Sequence, residues 1–175
     1  MPCLPRYGAA PEQTVVCTPI TPANDPRFFI EAAIGGTGND MMRGNDGANH
    51  LRGQAGHDRI MGCGGEDWLD GGEGDDVLSG GRGDDILRGG TGRNLFFIAP
   101  GDGHDLIEDF KSGSGNLIDL RCFRLARLED VAMWDSSAYG GSVTLQLVAS
   151  SGAGTAYVTL AGMTTQDIRP DMFLL

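Results

Sequence analysis

The stretch GGEGDDVLSGGRGDDILRGG, residues 71–90, repeats itself every nine residues, and no ordinary helix or strand has use for such a period. The frame extends without a gap through seven units: GGTGNDMMR, GNDGANHLR, GQAGHDRIM, GCGGEDWLD, GGEGDDVLS, GGRGDDILR and GGTGRNLFF, residues 35–97. Positions 1 and 4 are glycine in all seven. Position 6 is Asp40, Asn49, Asp58, Asp67, Asp76, Asp85 and Asn94, and position 8 is Met42, Leu51, Ile60, Leu69, Leu78, Leu87 and Phe96. After two further residues, PGDGHDLIE (100–108) fits as a degenerate eighth unit with Asp105 at position 6. Of the chain's 29 glycines, 19 fall within the 63 residues of the seven units. A flexible Gly-rich linker would not keep an aliphatic residue in register, and the spacing of the glycines excludes collagen.

Elementary stereochemistry turns this period into a shape. Glycine at positions 1, 2 and 4 suits a tight, crowded turn. The x-U-x triplet that follows has strand geometry, with the apolar residue facing one way and its neighbours the other. Each unit is expected to be a six-residue loop and a very short strand, and two units make one coil. Alternate strands then form two facing parallel sheets with the position-8 side chains between them. The loops stack in two columns, and position-6 carboxylates of units i and i+2 stand about 4.8 Å apart. Two such charges repel by about 3 kcal/mol at an effective dielectric near 20. One buried aliphatic side chain per unit contributes only about 1.5–3 kcal/mol. Backbone ordering of nine residues costs about 9–18 kcal/mol before hydrogen bonds are counted. A cation is therefore expected between the loops.

Hard oxygen donors, carboxylates and loop carbonyls, suit calcium with its six to eight ligands, whereas magnesium demands a stricter octahedron. The candidate ligands are Asp40, Asp58, Asp67, Asp76, Asp85 and Asp105, with Asn49 and Asn94 as weaker members. The glycines of the loops, Gly36, Gly38, Gly71, Gly72, Gly74, Gly80, Gly81 and Gly83, offer carbonyls. Several ions per chain follow, with Asp40–Asp58, Asp58–Asp76 and Asp67–Asp85 as the strongest pairs and Asp85–Asp105 as a fourth. Asp75, at position 5, is expected to point to solvent. His50, His57 and Cys63 occupy positions 7, 5 and 2 and imply no common zinc cluster. No loop has the EF-hand pattern.

On these residues the chain resembles the RTX (haemolysin-type calcium-binding) family over about residues 35–175. FFIAPGDGHDLIEDFKSGSGNLIDL resembles the segment that closes the family's roll, and AYVTLAGMTTQDIRPDMFLL resembles its C-terminal end. The resemblance implies an all-β fold: a right-handed parallel β-roll (a β-helix or solenoid) of nonapeptide repeats, followed by a β-rich C-terminal cap. It also implies that the terminal DMFLL (171–175) belongs to an uncleaved type I secretion signal, and hence a secreted, extracellular protein. On this reading residues 35–108 are the calcium-binding roll and 109–175 the cap.

The flanks are read more simply. Residues 1–34 hold six of the eight prolines, together with Cys3 and Cys17, and show no helical or strand period. They are expected to be extended until FFIEAAI (28–34) caps the roll as a short strand or helical turn. Downstream, DLIEDF and NLIDLRCF read as strands and RLARLEDVAMW (124–134) as a short helix. SVTLQLV and TAYVTLAGM form a hairpin around ASSGAG, and DMFLL a last strand over the roll's end. Cys3 and Cys17 could pair in an oxidising compartment, with Cys63 and Cys122 expected as free thiols. No signal-peptide pattern or membrane-spanning run is present.

A net charge of −11 disfavours nucleic acid and anionic membranes as partners and favours cations. No nucleophile elbow, zinc-protease motif or phosphate loop occurs. Asp102, His104 and Asp105 belong to the roll-closing segment, and no enzymatic role is expected of them. Two functions remain. One is a calcium-dependent folding and secretion module. The other is a non-catalytic accessory module of an extracellular enzyme or adhesin that binds an acidic polysaccharide, as in the repeat modules of alginate epimerases. For the second, Arg43, Arg52, Arg59 and Arg88 at positions 7 and 9 are the candidate contacts.

Overall fold

A computed structural model describes residues 13–16 and 31–175. The repeat folds into two parallel sheets of alternate strands. One sheet contains β1 (Gln13–Val16), β3 (Asp40–Arg43), β5 (Arg59–Gly64), β7 (Val77–Arg82), β9 (Leu95–Phe97), β11 (Leu117–Asp119) and β15 (Phe173–Leu174), in that spatial order. The other contains β2 (Ala32–Ile34), β4 (His50–Ala55), β6 (Trp68–Glu73), β8 (Ile86–Thr91) and β10 (His104–Ile107). It continues through β14 (Thr155–Ala161), β13 (Ser142–Val148) and β12 (Ala132–Ser136). This is the parallel β-roll expected from the period. All seven position-8 side chains are fully buried between the sheets.

The strands are longer than a triplet. β5 runs from position 7 of one unit to position 3 of the next, and pairs with β7 at Arg59↔Val77 and again at Cys63↔Gly81 and Gly64↔Arg82. The pairing skips position 1, and the chain bends at position 2, which takes a positive φ: 106° at Gly72, 101° at Gly81 and 84° at Gly90. The loop proper shrinks to positions 4–6. Two units place a side chain at this bend, Gln54 at φ 80° and Cys63 at φ 90°. Such a conformation costs a non-glycine residue about 1–2 kcal/mol.

The cap departs from expectation in one element. Residues 124–134 form no helix: a 3-10 turn covers Leu128–Asp130 and β12 follows, antiparallel to β13. From Ala132 onward the edge of β13 supplies a hydrogen-bonding partner, which outweighs a weak helical spacing. β13 and β14 form the hairpin, and β14 then pairs in parallel with β10, so the cap extends the sheet of the roll. β15 pairs with β11 at the end of the other sheet. At the opposite end β2 pairs with β4. β1 pairs with β3, a strand within the stretch where the sequence shows no period. Cys63 is free, but Cys122 is disulfide-bonded, against expectation. It sits in a 3-10 turn after β11, and the sequence could not show which thiol this turn would meet. Cys3, Cys17 and residues 28–30 lie outside the described residues.

Cys63→Gly should relieve the bend. With calcium saturating, thermal unfolding followed by circular dichroism should shift upward by about 2–4 °C, corresponding to about 1 kcal/mol in a domain of this size. Gly72→Ala should shift it downward, because its Cβ would land on the Gln54 carbonyl.

Candidate metal centre

Position 6 lies at the inner edge of each loop, and every one of its residues is buried. Their side chains form a ladder along each column. Asp40 N–H donates to Asp58 Oδ1 (2.8 Å), Asp58 N–H to Asp76 Oδ1 (2.8 Å) and Asp76 N–H to Asn94 Oδ1 (3.0 Å). In the second column Asn49 N–H donates to Asp67 Oδ1 (2.7 Å), Asp67 N–H to Asp85 Oδ1 (2.8 Å) and Asp85 N–H to Asp105 Oδ1 (3.3 Å). Asp105 of the degenerate unit thus docks on its column. One oxygen of each of these aspartates is committed to backbone.

The other oxygen is not. Oδ2 of Asp58, Asp67, Asp76, Asp85 and Asp105 is buried with no hydrogen-bond partner. Position-1 glycines show where these atoms point. A Cβ on Gly53, Gly62 or Gly71 would fall on Oδ2 of Asp58, Asp67 or Asp76 respectively. The same Cβ would lie 2.6–2.7 Å from a carbonyl oxygen of the next loop in the column: Gly71, Gly80 and Gly89 in turn. Position 1 is therefore glycine for close approach, whereas positions 2 and 4 of the later units are glycine for positive φ. At three places, called gaps below, an Oδ2 without a donor and a carbonyl oxygen of the next loop thus approach the same position-1 glycine. In the first unit of each column the gap differs, since Asp40 Oδ2 accepts Gly36 N–H (2.7 Å) and Asn49 Oδ1 accepts Asn45 N–H (2.8 Å).

Burial makes these carboxylates poor acids. It is the largest cause in each case, raising Asp67 and Asp76 to about 7, Asp85 to about 6 and Asp105 to about 9, with Asp58 also raised. The ladder bonds pull the other way, and neighbouring aspartates add to the rise. Asp102, outside the position-6 frame, is likewise raised to about 7 by burial while Ala99 N–H donates to it. Among the described residues no three His, Cys, Asp or Glu side chains converge. An ion between the loops would therefore draw on carbonyls as well as carboxylates, which is the donor set of calcium rather than zinc.

Of the remaining candidates, the carbonyls of Gly71 and Gly80 border gaps, whereas Gly72, Gly74, Gly81 and Gly83 lie at the bends and turns. Gly36 donates its N–H to Asp40, and a Cβ on Gly36 or Gly38 would meet nothing. Asp75 does more than face solvent. Its Oδ1 accepts Arg93 N–H (2.8 Å), its Oδ2 pairs with the Arg93 guanidinium (3.0 Å), and its own N–H donates to His57 Nδ1 (2.9 Å). With the His57 N–H donating to Asn39 Oδ1, position 5 forms an outer ladder parallel to the inner one. Two further residues escaped the nine-residue frame. Asn116 Oδ1 accepts Asn94 N–H (2.8 Å), continuing the first column. Asp109 accepts Gly89 N–H (2.9 Å) and Gly90 N–H (2.7 Å). KSGSGNLID (111–119) is a ninth unit with no glycine at positions 1, 2 and 4, marked by the ladder at Asn116 and by Ile118, buried at position 8 and paired with Phe96.

The repeat and its fold have counterparts in known proteins. Residues 34–65 and 64–96 each match the family model of the RTX calcium-binding nonapeptide repeat. Over these residues the chain carries the RTX calcium-binding nonapeptide repeat. Among solved structures, it resembles the AlgE6R2 subunit of the Azotobacter vinelandii mannuronan C5-epimerase. Identity is 23% over 86% of this chain and 96% of that one, with a TM-score of 0.50, a likeness of fold. The AlgE6R3 subunit of that epimerase also matches, with 24% identity over 79% and 80% of the two chains and a TM-score of 0.31. No curated protein matches. What the chain shares with the AlgE6R2 subunit is a repeat fold. No helix among the described residues is long and apolar enough to cross a membrane.

The raised carboxylates fix the sign of a pH effect. Their folded values of about 6–9 exceed the unfolded value near 3.9. The stability they contribute is therefore fully present below about pH 4 and lost as pH rises through 6 to 9. In chelator, β signal should be greater at pH 5 than at pH 8. Calcium, which needs ionised ligands, should bind more tightly as pH rises over the same range. Circular dichroism showing more metal-free β structure at pH 8 would contradict the assignment.

Proposed function

We propose that the chain is a calcium-dependent folding module of a secreted protein, with ions held in the gaps at Asp58, Asp67 and Asp76. Residues 35–108 form the metal-dependent roll and 109–175 its cap, with the C-terminal end serving type I secretion. The observation that carries this reading is the set of buried Oδ2 atoms facing carbonyls with nothing to bridge them. When such a carboxylate ionises without a partner, its desolvation opposes folding. A calcium ion supplies the missing charge and ties loop i to loop i+2. The roll would then stay unfolded where calcium is scarce and fold outside the cell.

A calcium titration tests it. In EDTA at pH 7.5, β signal should be low and should rise cooperatively in millimolar-range calcium, with magnesium at equal concentration doing little. Asp76→Ala should raise the calcium midpoint at least severalfold. Asp75→Ala, which loses only an exposed ladder bond and ion pair, should move it much less. Full β structure in EDTA, or equal shifts for the two variants, would sink the proposal.

A second reading, an accessory module that binds an acidic polysaccharide, has one observation in its favour. Strand register lines up His50, Trp68, Ile86 and Leu106 across the outer face of the second sheet, then Thr159, Thr144 and Trp134. His50 and Trp68 meet edge to face at 4.0 Å, and Trp134 is 44% exposed. Arg52, ion-paired to Asp70 (3.4 Å), and the exposed Arg88 flank this row, whereas Arg43 is turned toward Cys63 on the other sheet. Calorimetry with polymannuronate at fixed saturating calcium should show binding that Trp68→Ala weakens. No heat of binding would leave the folding module alone standing.

A further inference from the structure

The two asparagines at position 6 are one residue type at one repeat position, yet their side chains are turned opposite ways. Asn49 points Oδ1 into the gap at Gly44, where a Cβ would meet that oxygen and the Gly62 carbonyl. Asn94 points its nitrogen inward: a Cβ on Gly89 would lie 2.6 Å from Nδ2. Its orientation is set by the ladder, because Asp76 N–H donates to Asn94 Oδ1 and leaves only the amino group to face the gap. That Nδ2 is buried and has no hydrogen-bond partner.

We propose that Asn94 is a built-in stop for cation loading: the first column takes ions up to the gap between Asp76 and the Gly89 carbonyl, and none at Gly89. An amino group brings two partly positive hydrogens to the place where the other loops bring Oδ2, so it repels the ion they attract. The second column has no such stop, since Oδ2 of both Asp85 and Asp105 remains without a donor. Asp109 already brings a carboxylate to the Gly89 and Gly90 N–H groups, and the backbone ladder continues to Asn116. The Asn94 nitrogen is the atom nearest to where a Gly89 Cβ would lie.

This inference rests on calcium filling the other gaps, and the test separates the two ideas. Bound calcium per folded chain is counted by native mass spectrometry and equilibrium dialysis for the full chain, Asn94→Asp and Asp67→Asn. Asn94→Asp should gain one ion. Asp67→Asn should lose one, because its amide oxygen must take the Asn49 N–H and its amino group then faces the gap at Gly62. An unchanged count in either variant overturns the stop. So does an Asn94→Asp chain that remains unfolded at every calcium concentration, since an open gap would have compensated its carboxylate. A parent chain that binds no calcium overturns the proposed function instead.

Discussion

Each interior aspartate of the roll divides its two oxygens between opposing demands. Oδ1 accepts the N–H of the matching residue one coil away, which satisfies a buried backbone donor and fixes the spacing of the loops. Oδ2 is thereby aimed at a carbonyl, where it has no partner. The bond that builds the ladder thus creates the electrostatic deficit. A proton or a cation can remove it, and at neutral pH the two compete. Removing the carboxylates would remove the deficit, but it would also remove the ladder.

The sheets on either side tolerate this arrangement because they ask little of the loops. Position-8 side chains stack into a core one residue deep per unit, and six-residue strands pair on both sides of position 1. At the C-terminal end the core thickens with Phe96, Phe110 and Phe123, all almost fully buried. The hairpin of β13 and β14 joins the same sheet. Metal-dependent and metal-independent structure are therefore continuous: β10 carries Asp105 and also pairs with β14.

Nearly all of the roll was legible in the sequence, because a period that holds through seven units encodes strand order, register and core at once. Position 8 gave the core and position 6 the buried polar column without exception. The misses lie where the period weakens. Residues 124–134 read as a helix, yet their last three residues open β12, whose strand character depends on an edge that β13 presents. β1 and the disulfide at Cys122 depend on contacts distant in sequence. Asn116 stands in a unit whose glycines have left positions 1, 2 and 4, so that its place in the column shows only in its hydrogen bond to Asn94 and the pairing of β11 with β9.

The sequence by itself determined that oxygen-bearing side chains would recur every nine residues beside glycine, and hence that carboxylates would be stacked and in need of a cation. It could not determine which atom of each side chain would face the gap. That was decided by tertiary structure, because a side chain with two polar ends turns according to the donor it meets. Asp58 Oδ2 is left bare because Oδ1 meets Asp40 N–H, Asp40 Oδ2 is capped by Gly36 N–H, and Asn94 turns its nitrogen inward because Asp76 N–H holds its oxygen. Those donors come from a neighbouring coil eighteen residues away, or from the loop's own turn, and their positions exist only once the chain has wound back on itself.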